Sequence, residues 1–206
     1  MLVLASASPR RRDLLLQAGY HFEVHPAHVS EDPLPGEDPI VYVTRLAREK
    51  AEAVYRKLSA VDDAPEKLRP LPGLGGQSSP LAVLGADTTV TLDNTILGKP
   101  EDAADAARIL RLLSGRTHRV ITGVALVTAT GAEVAAEATA VRFLTLSEAE
   151  ITEYIATGEP MDKAGAYGIQ GRAARWIPRI EGCYFNVMGL PLALVSALLE
   201  ACNAFL

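Results

Sequence analysis

The sequence has few cysteines, no excess of positive charge and no long apolar run, and each absence argues against a class of protein. Cys183 and Cys202 are too few for a disulfide framework and do not form a closely spaced metal pair, so we expect buried thiols in a reducing compartment. Lysine and arginine number 20 against 25 aspartates and glutamates, a net charge of −5. A nucleic-acid partner is therefore not expected, because binding the phosphate backbone needs a positive surface. The most apolar stretch, 190–199, is interrupted by Pro191 and Ser196 and is too short to cross a bilayer, so no membrane partner is expected.

Several familiar functional motifs are also missing. No GxSxG or Walker A sequence occurs, which argues against a hydrolase nucleophile elbow and a P-loop. His21, His25 and His28 would align on a helix, but Pro26 would break that helix, so we do not expect the three histidines to bind a metal together. The first residues carry no basic segment ahead of an apolar run, so we expect no signal peptide and a cytoplasmic protein.

What is present is the composition of a globular domain, with 49% hydrophobic and 22% charged residues in a chain of 206. We expect one domain over 1–206, with a flexible insertion rich in proline and glycine at about 60–80. Caps, turn residues and apolar spacing predict helices over 9–18, from 39 onwards, over 101–113, over 148–157 and from 191 onwards. They predict strands over 2–4 and 22–24, on both sides of 87–89, after a turn at 93–94, and over 120–128, 133–143 and 172–180. This alternation indicates an α/β fold with a mixed sheet.

The first candidate site is the segment 6–12, Ser-Ala-Ser-Pro-Arg-Arg-Arg, between a predicted strand and a predicted helix. A helix N-terminus attracts anions, and hydroxyls with guanidinium groups would complete a phosphate cradle. The alternative is an ordinary capped helix whose first turn carries solvated arginines. The spacing alone leaves both interpretations open.

The second candidate site centres on Asp87, which the pattern places at the end of an apolar strand. A carboxylate there could hold Mg²⁺ or activate water, or could simply form a turn. Lys99 lies back across the predicted hairpin and could face the same cleft or be solvated. The basic residues of the predicted helix from 39 onwards are ambiguous in the same way: each could face the cleft or be solvated. Arg45 and Arg48 share a face of that helix, and Lys50 points elsewhere.

The third candidate site is the segment 158–171, in which glycines flank Gln170. Glycines let the backbone approach a ligand closely, and an amide can both donate and accept hydrogen bonds toward a nucleobase. A glycine-rich strand with bulges is the alternative interpretation.

Taken together, the ordered motifs resemble a known family. The sequence contains LASASPRRRDLL, RLAREKA, VLGADTTV, ILGKP, LSGRTHRVITGVAL, GEPMDKAGAYGIQG and VMGLPL, in that order. It resembles the Maf family of nucleoside triphosphate pyrophosphatases over nearly its whole length, apart from 60–80. The KAGAYGIQG segment is similar to the branch that acts on dTTP and UTP.

The resemblance implies an elongated α/β fold, with a mixed sheet flanked by helices and a cleft between two lobes. It also implies cleavage between the α- and β-phosphates, giving a nucleoside monophosphate and pyrophosphate. Asp87 corresponds to the proton acceptor. The residues that correspond to substrate specificity are Arg10, Thr88 and Gln170. The residues that correspond to phosphate binding are Ser6, Arg11, Lys50 and Lys99. Asp87 and Glu31 would hold a divalent metal, Mg²⁺ or alternatively Mn²⁺, although the family often has Asp-Glu where this chain has Ser30-Glu31.

These implied roles predict which bases are accepted. Uracil and thymine present acceptor, donor and acceptor groups, which Arg10 and Gln170 can match. The amino group of cytosine would face a donor, so we expect dTTP and UTP to be preferred over dCTP and ATP. The alternatives are a nucleotide-binding regulator of septum formation without turnover, and a house-cleaning enzyme for modified nucleotides. A monomer or a homodimer is expected.

Overall fold

The computed structural model describes residues 1–62 and 80–202, and this part of the chain is built on a mixed seven-stranded sheet. The strands are β1 (Leu2–Leu4), β2 (Glu23–Val24), β3 (Ala82–Leu92), β4 (Thr95–Leu97), β5 (Thr117–Thr128), β6 (Gly131–Arg142) and β7 (Arg179–Glu181). Their order is β2-β1-β3-β5-β6-β7, with β4 paired to β3. β1 runs parallel to β2 and β3, and the other pairs are antiparallel. The predicted α/β fold with a mixed sheet is confirmed.

Helices flank this sheet. They are α1 (Pro9–Gln17), α2 (Pro39–Asp62), α3 (Ala103–Leu113), α4 (Glu148–Ala156), α5 (Tyr184–Val187) and α6 (Leu192–Ala201). Short 3₁₀ helices occupy Glu159–Asp162, Ala164–Ala166 and Arg172–Trp176. No helix in the described ranges has both the length and the apolar character needed to cross a membrane.

Two predictions about local structure need correction. The strand expected over 172–180 is a 3₁₀ helix for its first half, and β7 covers only its end. The insertion expected at about 60–80 lies almost entirely outside the described residues, at 63–79, and stays a prediction; α2 continues through Asp62. Cys183 and Cys202 are free thiols but are partly exposed rather than buried.

The strand that carries Asp87 also differs from its prediction. The sequence placed Asp87 at the end of one strand, yet β3 runs without interruption from Ala82 to Leu92. Its continuity follows from β5, which pairs with it at every position from Val83 to Thr91. The chain turns only at Asp93 and Asn94, whose φ angles of 51° and 63° suit the predicted two-residue turn into β4.

The opposite edge of β3 is left open in its middle. β1 pairs with residues 82–84 of that edge, and β4 pairs with residues 90–92. Residues 85–89 therefore lack a strand partner on this side within the described chain. This gap lies beyond the carboxyl end of the parallel strand β1, where ligands commonly bind in α/β sheets. Asp87 sits at its centre.

Two glycines let α2 lie very close to the sheet. A Cβ atom on Gly85 would stand 2.1 Å from the carbonyl oxygen of Ala47, and one on Gly123 would stand 2.3 Å from that of Val43. Gly123 is the β5 neighbour of Asp87. The missing side chains thus allow α2 to pass directly over Asp87.

Candidate active site

All nine predicted site residues line one cleft of about 1020 Å³. They come from the β1–α1 connection, the loop before α2, α2 itself, β3, the segment after β4, and the loop before β7: Ser6, Arg10, Arg11, Glu31, Lys50, Asp87, Thr88, Lys99 and Gln170. The structure brings these residues together although they are far apart in the sequence. The individual role of each one stays a prediction.

At the centre of the cleft, one ammonium group lies between two carboxylates. Lys50 Nζ donates to Asp87 Oδ1 at 2.7 Å and lies 2.6 Å from Glu31 Oε1. Asp87 and Lys50 are each only 7% exposed, whereas Glu31 is exposed. Alternate residues of a strand face opposite sides of the sheet, so Asp87 shares the α2 side with Gly85, and Lys50 reaches it from α2.

The two carboxyl groups of this cluster titrate differently. Burial raises the pKa of Asp87 above its ordinary value of 3.8, although the charges of Lys50 and Arg11 oppose the shift. Partial burial acts in the same direction on Glu31, but the hydrogen bond and charge of Lys50, with Lys99 and Arg11, outweigh it and lower the pKa of Glu31 below 4.5. Asp87 is therefore the better base of the pair, because a proton acceptor gains strength as its pKa rises.

The donor set of Asp87 and Glu31 fits a hard divalent cation. Both carboxylates already point toward one positive centre, the Lys50 ammonium. Mg²⁺ is usually held by one or two carboxylates, with water and substrate phosphates supplying the remaining ligands. Such a site needs no cluster of three acidic or imidazole ligands, and none is found among the residues that the structure describes.

Arg11 is held by the protein itself on the other face of β3. Its Nε donates to the carbonyl oxygen of Gly189 at 2.8 Å, and its Nη1 donates to the Ala86 carbonyl at 2.8 Å and to Ser6 Oγ at 3.2 Å. Its Nη2 donates to Thr88 Oγ1 at 3.0 Å. Four of the five N–H groups of a guanidinium are therefore used, which leaves one for a ligand.

Thr88 belongs to the same network. Its Oγ1 accepts from Arg11, lies 2.9 Å from Thr122 Oγ1 on the neighbouring strand, and lies 3.4 Å from the Gly189 carbonyl. A hydroxyl has one donor and two acceptor positions, so these contacts use nearly all of its capacity. Thr88 thus fixes Arg11 and the 186–189 segment at the edge of the cleft.

The remaining predicted residues lie at the rim. Arg10 is partly exposed, with its Nη1 4.0 Å from Asp162 Oδ2 across the cleft. Lys99 and Gln170 are exposed. Ser8 is the N-cap residue of α1 but makes no side-chain cap bond; its backbone N–H instead donates to Ser6 Oγ at 3.2 Å.

Two side chains of α2 hold the loop that presents Glu31. The Tyr42 hydroxyl donates to the Glu31 carbonyl at 2.8 Å, and burial raises the pKa of Tyr42 to about 12, which keeps that hydroxyl protonated. Arg45 donates to both Glu37 carboxylate oxygens at 2.7 and 2.8 Å and to the Asp32 carbonyl at 3.2 Å. Arg45, left ambiguous by its spacing, therefore acts on the loop. Sequence reasoning missed Tyr42, for which only its position one helical turn before RLAREKA was a signal.

A second group that sequence reasoning missed lies in the segment 159–167. Glu159, Asp162, Lys163 and Tyr167 all line the cleft. The motif GEPMDKAG contained the first three, but only Gln170 received a role. Lys163 joins two of them, because its Nζ donates to the Glu159 carbonyl at 2.7 Å and to Asp162 Oδ1 at 2.6 Å, and residue type alone does not reveal these contacts.

Comparison of the sequence with known proteins identifies the family of this chain. The chain is 50% identical over 199 residues to a dTTP/UTP pyrophosphatase of Koribacter versatilis, covering 97% of this chain and 93% of that protein. It is equally similar, at 50% identity, to proteins of the same name from Chromobacterium violaceum, covering 96% and 92%, and Aromatoleum aromaticum, covering 97% and 94%. The family model described as Maf-like protein matches residues 1–202. This chain belongs to the Maf family.

Proposed function

We propose that this protein hydrolyses dTTP and UTP to the nucleoside monophosphate and pyrophosphate. The observation that carries the proposal is the buried Asp87 carboxylate, with its raised pKa, at the centre of a cleft that five cationic side chains also line. The names of the relatives at about 50% identity support this choice of substrates.

Asp87 would accept the proton of the water that attacks the α-phosphorus. Its place inside β3, hydrogen-bonded to Lys50 at 2.7 Å, fixes the direction of the carboxylate before substrate binds. Phosphoryl transfer depends mainly on such positioning and on charge stabilisation. Each cation that approaches a phosphate oxygen to 4 Å contributes about 4 kcal/mol at an effective dielectric constant of 20, so Arg11, Lys50 and Lys99 would hold the triphosphate.

Asp87 and Glu31 would hold the divalent cation, Mg²⁺ or Mn²⁺. When bound, it supplies positive charge that polarises phosphate oxygens. The Lys50 ammonium forms an ion pair with each of these two carboxylates and keeps them close together.

The base would be read at the rim. Gln170 and Arg10, both at the cleft surface, would match the acceptor–donor–acceptor edge of uracil and thymine. Thr88 would act by fixing Arg11, because its hydroxyl is already occupied. A cytosine amino group opposite a donor would cost roughly 1–3 kcal/mol. The proposal includes a cytoplasmic location, which the two free thiols support.

A panel of nucleoside triphosphates with pyrophosphate detection tests this function. We expect wild type with Mg²⁺ to convert dTTP and UTP more efficiently than dCTP and ATP, and Asp87→Asn to lose turnover while still binding dTTP. Asp93→Asn is the matched control, since Asp93 lies in an exposed turn that asparagine also favours. Binding of dTTP without formation of dTMP by wild type would instead indicate a nucleotide-binding regulator. Preference for a modified nucleotide would indicate a house-cleaning enzyme.

A further inference from the structure

The loop that carries Gln170 is held at both ends by hydrogen bonds that lead to one side chain, Glu159, directly at one end and through the Tyr154 hydroxyl at the other. At one end, the Arg172 N–H donates to Glu159 Oε2 at 3.1 Å. At the other end, the Gly168 N–H donates to the Tyr154 hydroxyl at 3.2 Å, and that hydroxyl donates to Glu159 Oε1 at 2.8 Å. Gln170 lies between the two fastened positions and lines the cleft.

The backbone of this loop rests directly on the side chains beneath it. A Cβ atom on Gly171 would stand 1.8 Å from Glu159 Oε1, and one on Gly168 would stand 2.8 Å from Lys163 Cε. A larger residue at position 171 would therefore displace the Glu159 carboxylate or lift the loop from it, whereas one at position 168 would require the end of the Lys163 side chain to move. The glycines on both sides of Gln170 are explained by this close approach, and not by unusual backbone angles, because neither has a positive φ.

Glu159 and Tyr154 are themselves fixed to the body of the protein. Lys163 Nζ donates to the Glu159 carbonyl at 2.7 Å. Tyr154 is 1% exposed on α4 and packs edge-on against Trp176, with ring centroids 5.1 Å apart. Burial, together with the hydrogen bond to Glu159, raises the pKa of Tyr154, so its hydroxyl remains a donor.

We propose that Glu159 is a positioning residue for base selection: its carboxylate, with the Tyr154 hydroxyl, holds the 168–172 loop so that the Gln170 amide meets the pyrimidine edge. The inference rests on the proposed function. Glu159 touches neither the reacting phosphorus nor the attacking water in this arrangement; it acts through Gln170.

We call the Glu159 carboxylate and the Tyr154 hydroxyl the clamp, and two isosteric variants test it at its two ends. In Glu159→Gln, one acceptor oxygen replaces two, so one fastening is lost; in Tyr154→Phe, the link to Gly168 is lost while the ring still packs on Trp176. We expect each to raise KM for dTTP and to reduce the kcat/KM preference for dTTP over dCTP by about five- to tenfold, the effect of one hydrogen bond worth about 1 kcal/mol. The kcat for dTTP should stay within about threefold of wild type, because Asp87 and Lys50 are untouched.

A double-mutant cycle separates positioning of Gln170 from a general structural role. In a Gln170→Ala background, Glu159→Gln should change the dTTP/dCTP preference by less than about twofold. A full further loss in that background, or an unchanged preference in both single variants, would overturn the proposal. Glu148→Gln is the matched control, because its carboxylate pairs with the exposed Arg111 and, within the described residues, does not bond the 168–172 loop; it should behave as wild type.

Hydrogen exchange of the 164–174 segment gives a readout that needs no substrate. Glu159→Gln should speed exchange at the Arg172 amide and Tyr154→Phe at the Gly168 amide, while Glu148→Gln should change neither. Faster exchange combined with a wild type that hydrolyses no nucleotide would support the clamp and refute the proposed function. Normal turnover with unaltered exchange in Glu159→Gln would refute the clamp and leave the function standing.

Discussion

The strongest electrostatic prediction concerns Lys50, whose charge lowers the pKa of Asp87 while burial raises it. Lys50→Met removes the ammonium and keeps most of the apolar stem. The pKa of Asp87 should then rise further, because burial acts without its main opponent. Lys50→Arg is the control, since it keeps a positive charge beside the carboxylate.

The expected size follows from the contact. The Lys50 Nζ to Asp87 Oδ1 distance is 2.7 Å and both residues are 7% exposed, so water screens the pair weakly. An opposite charge within about 4–6 Å lowers a carboxyl pKa by about 1–3 units. Lys50→Met should therefore raise the pKa of Asp87 by an amount within that general range, which corresponds to roughly 1–4 kcal/mol between the two protonation states.

Glu31→Gln should move the same pKa in the opposite direction. The negative charge of Glu31 raises the pKa of Asp87, but it is the smallest of the causes, so the shift on its removal should be downward and smaller. The assay is a pH titration of carboxyl ¹³C chemical shifts in chelator-treated protein, with Asp87→Asn identifying the Asp87 resonance. A pKa of Asp87 that is unchanged or lower in Lys50→Met, or higher in Glu31→Gln, would refute the electrostatic reasoning.

Three further predictions concern stability and are checked by chemical denaturation. Gly123→Ala should cost about 1–3 kcal/mol and reduce turnover, because its Cβ would stand 2.3 Å from the Val43 carbonyl of α2, while Gly98→Ala, with open space around it, should cost little. His118 is 2% exposed and burial lowers its pKa to about 4, so between pH 7 and pH 4 the unfolded chain binds a proton at this residue more readily than the native protein does. Over that pH range, the free energy of unfolding of wild type should therefore fall by about 3 kcal/mol more than that of His118→Gln. Asp87→Asn should increase the free energy of unfolding at neutral pH, since burial raises the pKa of Asp87 and its ionised form opposes folding, and the gain should vanish below pH 3.8, where the carboxyl is protonated in both states.

Much of the fold could be predicted because its signals are local. At the start of the predicted helix over 148–157, Ser147 Oγ accepts from the Glu150 N–H and the Glu150 carboxylate accepts from the Ser147 N–H, which forms a capping box. The hairpin of β5 and β6 turns between the strands predicted over 120–128 and 133–143. In each case the deciding hydrogen bonds join residues within a few positions, so the sequence contains both partners.

The features that could not be predicted depend on distant partners. Asp87 and its polar neighbours read as a strand end because they interrupt an apolar pattern, yet β5 supplies a full ladder of partners across that interruption. The sequence did not assign a role to Tyr42 or Glu159 for a related reason. Their importance lies in contacts with a loop carbonyl and a loop amide, and residue type alone does not reveal those contacts.

The predicted site residues of the cleft come partly from a strand and partly from two loops, and each loop is held in place by its own hydrogen bonds. Asp87 lies inside β3, so its position is set by the sheet and by the close approach of α2. The loops that present Glu31 and Gln170 have no strand of their own, and each is tied to a neighbouring helix or its end by a tyrosine hydroxyl, from Tyr42 and Tyr154 respectively. A change in either fastening should therefore alter what the cleft binds more than how Asp87 is presented. Under the proposed function, this separation would allow base selection to change at the rim without disturbing Asp87, the proposed proton acceptor, at the centre.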